Sequence, residues 1–344
     1  MTDLKTKLEI FDAIASRRDE RRKFLRFAGG SALAVGGASL LAACGSDDSD
    51  LAPAPTPTPT PTPAAALNDA DVLNFALNLE YLEAQFYAFA AFGVGLNSSL
   101  LTGTGTQGGV TGGAQVPFQD TVVREYAREI AIDEVAHVAF LRTALGTAAV
   151  AQPALDISGG TAAAPGAFTS AARAAGVVTA TGVFNPYADD NSFLLGAYIF
   201  EDVGVSAYKG AAPLIANKTY LEAAAGILAA EAYHAGLIRT ILYRKGLTVP
   251  TLLTAAGQIS DARDSLDGTV TNTATGVIGD DDQGITGSDA TVSNIVPTDA
   301  NGLAYSRSTG QVLNIVYLNK AAVAMGGFFP AGVNGNIKTS AANP

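Results

Sequence analysis

A Glu-x-x-His motif that occurs twice constrains the fold of this chain more than any other feature. The motif stands as Glu134-Val-Ala-His137 and again as Glu231-Ala-Tyr-His234, and its two histidines are the only ones in 344 residues. Arg142-Thr143 and Arg239-Thr240 follow the two glutamates at the same distance. Because positions i and i+3 lie on one face of a helix, each motif predicts a carboxylate and an imidazole that point at the same ion.

Two further glutamates complete the pattern. Two divalent cations in an apolar interior carry four positive charges, so two Glu-x-x-His motifs require two more carboxylates. Glu80 and Glu201 begin two similar segments, and a tyrosine follows each glutamate two helical turns later, at Tyr87 and Tyr208. The predicted order of ligands is therefore Glu, Glu-x-x-His, Glu, Glu-x-x-His.

Acidic residues next to the predicted ligands leave alternatives. Alignment of the two tyrosine-containing segments places Glu83 opposite Gly204, so we interpret Glu80 as the ligand and keep Glu83 as the alternative. Asp133 and Asp202 adjoin predicted ligands in sequence but point about 100° away on their helices. We interpret these two residues as surface groups or as groups that orient a ligand.

This arrangement resembles the ferritin-like di-iron and di-manganese carboxylate proteins. In that family, one Glu from each of two helices and a Glu-x-x-His from each of the other two project into a four-helix bundle. Leu77-Asn-Leu-Glu80 and Ile132-Asp-Glu-Val-Ala-His137 are similar to the first- and second-helix motifs of bacterioferritin-type proteins. The span from 68 to 344, including Asn294-Ile-Val-Pro-Thr-Asp299 and Gly326-Gly-Phe-Phe-Pro330, is similar to the branch of plant and bacterial desiccation-related proteins.

The resemblance implies a dinuclear site with two metal ions, iron or manganese, because mixed oxygen and nitrogen ligation suits these metals. The six implied ligands are Glu80, Glu134, His137, Glu201, Glu231 and His234.

The resemblance also implies a division of roles among these ligands. Glu134 and Glu231 would bridge the two metals, the other two glutamates would be terminal ligands, and each metal would take one histidine. Tyr87 and Tyr208 are predicted to donate hydrogen bonds to the ligand carboxylates. The alternative is that both are core tyrosines with partners elsewhere.

The implied fold is all-α, a ferritin-like four-helix bundle with a long crossover between the second and third helices, plus an irregular C-terminal extension that carries a fifth helix. Glycines and capping residues place the bundle helices within residues 67–250, at about 69–91, 120–145, 191–209 and 218–245. The crossover covers residues 147–190.

The extension, residues 251–344, is expected to be rich in loops. Its one predicted helix runs from Gln311 to Met325, and Phe328 and Phe329 are expected to close over the bundle. The Asp280-Asp281-Asp282 run does not have the spacing of an EF-hand, so we interpret it as a solvated acidic loop.

Residues 1–43 are interpreted as an export signal. Arg21-Arg22-Lys23-Phe24-Leu25-Arg26 resembles a twin-arginine motif, and a short apolar run follows it. Leu41-Ala-Ala-Cys44 resembles a lipobox, which predicts lipidation of Cys44. The chain is therefore expected to be exported and anchored through Cys44 to a membrane of the cell envelope, at its periplasmic or outer surface. The alternatives are an uncleaved anchor and a chance cysteine.

Residues 44–66 form a linker that is rich in threonine and proline, for which we expect an extended polyproline II spacer. The formal net charge of the whole chain is -11. Loss of residues 1–43 would remove more basic than acidic side chains. The remaining acidic surface disfavours nucleic acid as a partner.

Three functions are compatible with these residues. The first is an enzyme of oxidase or ferroxidase type that uses oxygen or hydrogen peroxide, with ferrous iron as a further substrate, in oxidative or desiccation stress of the envelope. The second is a catalase-like disproportionation of peroxide at two manganese ions. The third is a structural envelope protein in which the metals stabilise the bundle. The oligomeric state is left open, including a homo-oligomer.

Overall fold

Seven α-helices make up about half of the residues that the structure, a computed structural model, describes. It describes residues 67–268 and 282–343. The helices are α1 (Asp69–Phe92), α2 (Thr121–Leu145), α3 (Ala167–Ala174), α4 (Asp190–Ala211), α5 (Lys218–Gly246), α6 (Thr251–Asp267) and α7 (Thr309–Val316). The predicted export signal, Cys44 and the linker lie outside the described residues. Among the described helices, none has the length and apolar character that a membrane span requires.

The ends of the four long helices follow from side chains that the sequence places there. Asn68 caps α1 by accepting hydrogen bonds from the backbone of the first turn, and α1 ends at Gly93, whose φ of 71° is left-handed. Asp120 and Asn217 cap α2 and α5 in the same way. The predicted bounds of all four helices agree with the structure to within two residues.

The long helices pack in two antiparallel pairs, as expected for a duplicated hairpin. Helix α1 packs along α2, and α4 packs along α5. Contacts of α1 with α4 and of α2 with α5 join the two pairs. The fold class that the sequence predicts, a helical bundle with its crossover between the second and third long helices, is therefore correct.

The crossover is more ordered than its composition suggests. It contains α3 and the strand β2 (Leu155–Ile157), which pairs in parallel with β1 (Val110–Gly112) from the loop between α1 and α2. Phe168 of α3 packs against Phe86 of α1, with ring centroids 5.3 Å apart. The crossover therefore covers a face of α1, and most of α1 and α4 is buried, whereas α2 and α5 each keep a solvent face.

The C-terminal extension differs from its prediction in two ways. Two helices, α6 and α7, lie in its described residues instead of one, because the buried face of α6, which includes Leu252, Ala256 and Ile259, has helical periodicity within a polar sequence. Helix α7 ends at Val316, well before the predicted end, because Leu318 takes a left-handed φ of 53°.

Two other predictions for the extension have opposite outcomes. Phe328 is fully buried and packs edge-on against Phe168 and Phe200, with ring centroids 5.1 and 4.9 Å away, so the expected closure over the bundle is confirmed. The prediction of a solvated acidic loop is wrong for Asp282, which is buried and paired with two arginines. Asp280 and Asp281 lie outside the described residues.

Candidate metal centre

The four long helices bring the six predicted ligands to one place inside the bundle. Helices α1 and α4 each supply one glutamate, and α2 and α5 each supply a Glu-x-x-His motif. All six side chains are buried, and the most exposed of them, His137, has only 8% of its surface accessible. The two imidazole rings lie 6.2 Å apart between centroids. The structure therefore brings together all of the residues that the repeated motif singled out.

Four of these side chains form a first group around His137. Its Nδ1 atom lies 3.2 Å from Oε2 of Glu80, 3.5 Å from Oε2 of Glu134 and 3.6 Å from Oε1 of Glu231. One donor atom from each of the four residues lies within 4.8 Å of the donor atoms of the others. That spacing allows all four side chains to reach a single ion.

A second group forms around His234. Its Nδ1 atom lies 3.0 Å from Oε1 of Glu134 and 3.7 Å from Oε2 of Glu201. Glu201, Glu231 and His234 each offer a donor atom within 4.8 Å of the donor atoms of the other two. Glu134 thus presents a different oxygen to each histidine, and Glu231 is shared between the groups. These are the positions expected of two bridging carboxylates.

The buried polar atoms that lack a hydrogen bond show whether these residues fit metal ions. Eight buried oxygen and nitrogen atoms of the six side chains have no hydrogen-bond partner among the described residues. Unpaired buried carboxylates are costly, and buried charges are normally paired or bound to a metal. The eight atoms include both Nδ1 atoms and the oxygens that face them. The donor set therefore fits two cations with oxygen and nitrogen ligands.

The pKa values of the carboxyl groups reflect their burial and crowding. Burial raises the pKa of Glu80 to about 7, against the opposing effect of His137. Burial raises the pKa of Glu201 to about 8, against the opposing effect of His234. Burial, together with neighbouring carboxylates, holds the pKa of Glu231 well above its usual range. These groups therefore hold protons near neutral pH unless a cation replaces them.

The pKa of the central Glu134 shifts the other way. Burial disfavours its charged form, but His137 and His234 outweigh burial and lower its pKa below the usual range. Burial similarly disfavours the charged histidines, but the carboxylates Glu80 and Glu134 raise the pKa of His137 well above 6.5. For His234, Asp133 and Glu134 outweigh burial and raise the pKa to about 10. The side chains thus form a tightly coupled acid–base cluster.

The two tyrosines donate hydrogen bonds across the bundle instead of along their own helices. The hydroxyl of Tyr87 on α1 donates to Oε1 of Glu201 on α4, and the hydroxyl of Tyr208 on α4 donates to Oε1 of Glu80 on α1. Each tyrosine leaves the Oε2 atom of its glutamate facing the histidines. The tyrosines therefore fix which oxygen of each terminal glutamate is free to bind an ion.

The two histidines differ in their outer surroundings. Nε2 of His234 lies 3.5 Å from Oδ2 of Asp133, which is half-buried on α2. Alignment of the two motifs places Ala230 at the position equivalent to Asp133, so the second copy has no acid there. Asp133, which the sequence left open as a surface or orienting group, is thus placed to hold the Nε2 proton and direct Nδ1 inward.

A second buried group of charges, here called the arginine cluster, adjoins the centre. Its members are Asp202, Arg239, Arg263, Asp267, Asp282 and Arg307, all less than a tenth exposed. Oδ2 of Asp202 accepts hydrogen bonds from Arg239 at 2.7 Å and from Arg263 at 2.9 Å.

The arginine cluster joins the bundle to the extension. Arg263 of α6 pairs with Asp282 at 2.6 Å, and Arg307 pairs with Asp282 at 2.9 Å and with Asp267 at 2.5 Å. The sequence does not predict this cluster, although the repeated Arg-Thr pair includes Arg239. Its first-copy counterpart, Arg142, instead donates to a loop carbonyl at Thr102.

Glu83, the alternative first ligand, is buried but stands outside both groups of donor atoms. The structure therefore favours Glu80 over Glu83 as the residue that faces the histidines. Burial, with the charges of the neighbouring glutamates, raises the pKa of Glu83 well above its usual range.

Comparison with known proteins identifies similar chains. Residues 68–244 match the ferritin-like domain family. The ferritin-like catalase Nec2 of Nesocodon mauritianus is 29% identical over 78% of this chain and 84% of its own length. The desiccation-related protein PCC13-62 of Craterostigma plantagineum is 30% identical over 72% of this chain and 76% of its own length. No solved structure gives a significant match.

Proposed function

The chain belongs to the ferritin-like domain family, and on that premise we propose that it is a dinuclear metalloenzyme that converts hydrogen peroxide to water and oxygen. The observation that carries the proposal is the set of eight unpaired, buried donor atoms on six side chains from four helices. The name of the catalase relative supports peroxide as the substrate.

Each group of residues in the centre has a distinct role in this proposal. Glu80, Glu134, His137, Glu201, Glu231 and His234 would hold two iron or manganese ions. Bound ions of this kind change oxidation state by one electron each, which is the chemistry that peroxide disproportionation requires. Tyr87 and Tyr208 orient the two terminal carboxylates. The buried helices exclude bulk water, so the coupled glutamates and histidines can keep or release protons locally.

This ranking differs from the one that the sequence alone supports. The sequence alone favours first an enzyme of oxidase type, including a ferroxidase, that uses oxygen or hydrogen peroxide. The catalase relative moves peroxide disproportionation ahead of it. The structural alternative keeps one specific support, the similarity to a desiccation-related protein, and it predicts that the metals stabilise the fold without turnover.

The experiment is peroxide turnover by protein loaded separately with manganese and with iron. We expect two metal ions per chain and oxygen release from hydrogen peroxide without a reductant. Glu134→Gln removes the carboxylate that faces both histidines and should lower both metal content and turnover. Glu129→Gln, an exposed glutamate on the same helix, is the matched control and should change neither. Oxygen consumption with ferrous iron, without oxygen release from peroxide, would favour the ferroxidase instead.

We also propose that the protein is exported and anchored to a membrane of the envelope through Cys44. The twin-arginine-like and lipobox-like segments of the sequence support this location. Cys44→Ala should release the protein from the membrane fraction, and Arg21→Lys with Arg22→Lys should keep it inside the cell. Membrane association that survives Cys44→Ala would contradict the lipid anchor.

A further inference from the structure

We propose that Glu83 binds hydrogen peroxide in a small cavity between the metal centre and the C-terminal extension. The inference rests on the peroxide reaction proposed above, and it adds a residue that contacts the substrate without binding metal. Glu83 lies one helical turn after Glu80 on α1 and belongs to neither group of side chains that could hold an ion. Its carboxyl group is therefore free for another role.

The cavity has a volume of about 20 Å³ and lies between α1, α4 and α7. Apolar side chains form almost all of its wall, including Leu82, Val203, Val316 and Phe328, and all four are buried. A cavity of this volume holds roughly one molecule of about the size of water, and hydrogen peroxide is the smallest peroxide. Larger peroxides do not fit, so the wall selects its occupant by size.

Glu83 is the acidic side chain in this wall. It is 6% exposed and has no hydrogen-bond partner among the described residues. Tyr208, which also lines the cavity, already donates its hydroxyl proton to Glu80. Buried carboxyl groups without a partner are costly, and native proteins satisfy them with ordered water or a ligand. The partner of Glu83 is therefore expected to be a molecule inside the cavity.

Gly204 connects this cavity to the metal centre. It is the α4 residue that aligns with Glu83, and it also lines the cavity. A Cβ atom at Gly204 would lie 2.4 Å from Oε2 of Glu231 and 3.6 Å from Oε1 of Glu83. Because Gly204 has no side chain, the carboxyl groups of Glu83 and Glu231 face the same small volume beside it. A molecule held by Glu83 would lie beside a residue that both donor groups share.

Hydrogen peroxide fits this chemistry better than oxygen does. It is small, and it has two O–H groups that can donate to an acceptor oxygen of the Glu83 carboxyl group. Oxygen has a similar size but no donor, so it gains nothing from Glu83. Glu83 would therefore retain the substrate and release the product.

Two substitutions at Glu83 test the proposal by kinetics. Glu83→Leu keeps a similar size but removes the acceptor, and we expect kcat/KM for hydrogen peroxide to fall about 10- to 100-fold, mainly through KM. Glu83→Gln keeps an acceptor oxygen and should recover most of that loss. Both variants should keep two metals per chain. Parental kcat/KM in Glu83→Leu, or loss of metal from it, would overturn the proposal.

A third variant tests the cavity without touching the centre. Val316→Leu fills the wall from the extension side and should raise KM for peroxide while metal content stays the same. An unchanged KM would count against the cavity as the binding place.

If the parent protein shows no peroxide turnover, the proposed function fails. Diffraction can then still show whether hydrogen peroxide binds beside Glu83. Crystals of the metal-loaded protein soaked in hydrogen peroxide should show a two-atom molecule within hydrogen-bonding distance of Glu83 that unsoaked crystals and soaked crystals of Glu83→Leu lack; a single water in both soaked and unsoaked parent crystals would overturn the inference. An empty cavity in the parent would overturn the inference.

Discussion

The metal centre and the arginine cluster, two buried groups of six ionisable side chains among the described residues, are built on opposite principles. The metal centre has four carboxylates, two histidines and eight donor atoms without a hydrogen-bond partner among the described residues. The arginine cluster has three arginines and three aspartates joined by ion pairs of 2.5 to 2.9 Å. The arginine cluster is close to neutral without any added ion, whereas the four carboxylates of the metal centre outnumber its two histidines, which favours the binding of cations.

Neighbouring residues in the sequence can belong to different clusters, one able to bind metal and the other linking the bundle to the extension. Glu201 and Asp202 are neighbours on α4, yet Glu201 faces His234 and Asp202 faces Arg239 and Arg263. A rotation of about 100° along the helix is enough to move from one cluster to the other. Burial of charge therefore does not by itself indicate a metal site; an excess of carboxylates over basic partners, with buried polar atoms that lack a hydrogen bond, does.

The largest expected effect is on the arginine cluster. Arg263→Met leaves Asp202 and Asp282 without one of their buried partners, so we expect the free energy of unfolding to fall by about 3–5 kcal/mol. Metal content per folded chain should not change. Arg124→Met, which breaks only a surface ion pair with Glu125, is the control and should cost less than about 1 kcal/mol. Denaturant unfolding and metal analysis would measure both quantities.

Removal of the metal should have the next largest effect. A ligand present at about 100 times its dissociation constant stabilises the native state by about 2.7 kcal/mol. We therefore expect a chelator to lower the melting temperature of the parent protein clearly. In Glu134→Gln, which should no longer bind the ions, the chelator should have little effect. Equal melting temperatures with and without chelator in the parent would contradict the comparison.

The pH dependence of the free energy of unfolding should come next in size, and it should reveal the crowded carboxyl groups of the metal centre. In protein stripped of metal, the pKa values of Glu80, Glu201 and His234 are raised to about 7, 8 and 10. Stability from groups with raised pKa is complete below their unfolded values and is lost as pH rises through the folded values. The stripped protein should therefore lose stability as pH rises from about 4.5, the usual pKa of a glutamate, to about 10, the folded pKa of His234, on the order of 1 kcal/mol per pH unit.

Metal-loaded protein should not follow this loss, because the ligands bind the ions in their deprotonated forms and metal affinity rises with pH. The depressed pKa of Glu134 adds stability above its unfolded value, so its effect is already complete in this pH range. Chemical denaturation at several pH values, with and without metal, would measure the difference. A stripped protein that becomes more stable toward pH 9 would show that the carboxyl groups are not crowded.

The smallest expected effect concerns the difference between the two histidines. Asp133→Asn weakens the contact that directs His234 Nδ1 inward, so we expect about a tenfold loss of affinity for one of the two metals. Asp133→Glu should restore part of it, and the melting temperature of stripped protein should stay the same because Asp133 is partly exposed. Titration calorimetry would detect this change. Equal weakening of both metals, or of neither, would contradict the role of Asp133.

The sequence predicts the bundle and its six inward residues because the relevant spacings are local. Glu134 and His137 share a helix, and so do Glu231 and His234, so helical periodicity alone sets their direction. Asn68, Gly93 and similar capping residues define the helix ends in the same way. Local chemistry therefore fixes the elements and the ligands they carry.

The remaining features depend on contacts between distant segments. The crossed bonds from Tyr87 to Glu201 and from Tyr208 to Glu80 join residues more than a hundred positions apart. Asp282 lies in an acidic run that reads as solvated, and only its pairing with Arg263 and Arg307 shows why it is buried. Periodicity and composition carry no signal for such pairings.

Anomalous diffraction from crystals of the metal-loaded protein, collected at the absorption edge of the bound metal, is the most direct test of a dinuclear centre. Two peaks about 3.5–4 Å apart are expected, one bonded to Nδ1 of His137 and one to Nδ1 of His234, with Glu134 and Glu231 between them. A single peak, peaks elsewhere in the molecule, or full metal loading with no peak between the two histidines would contradict it.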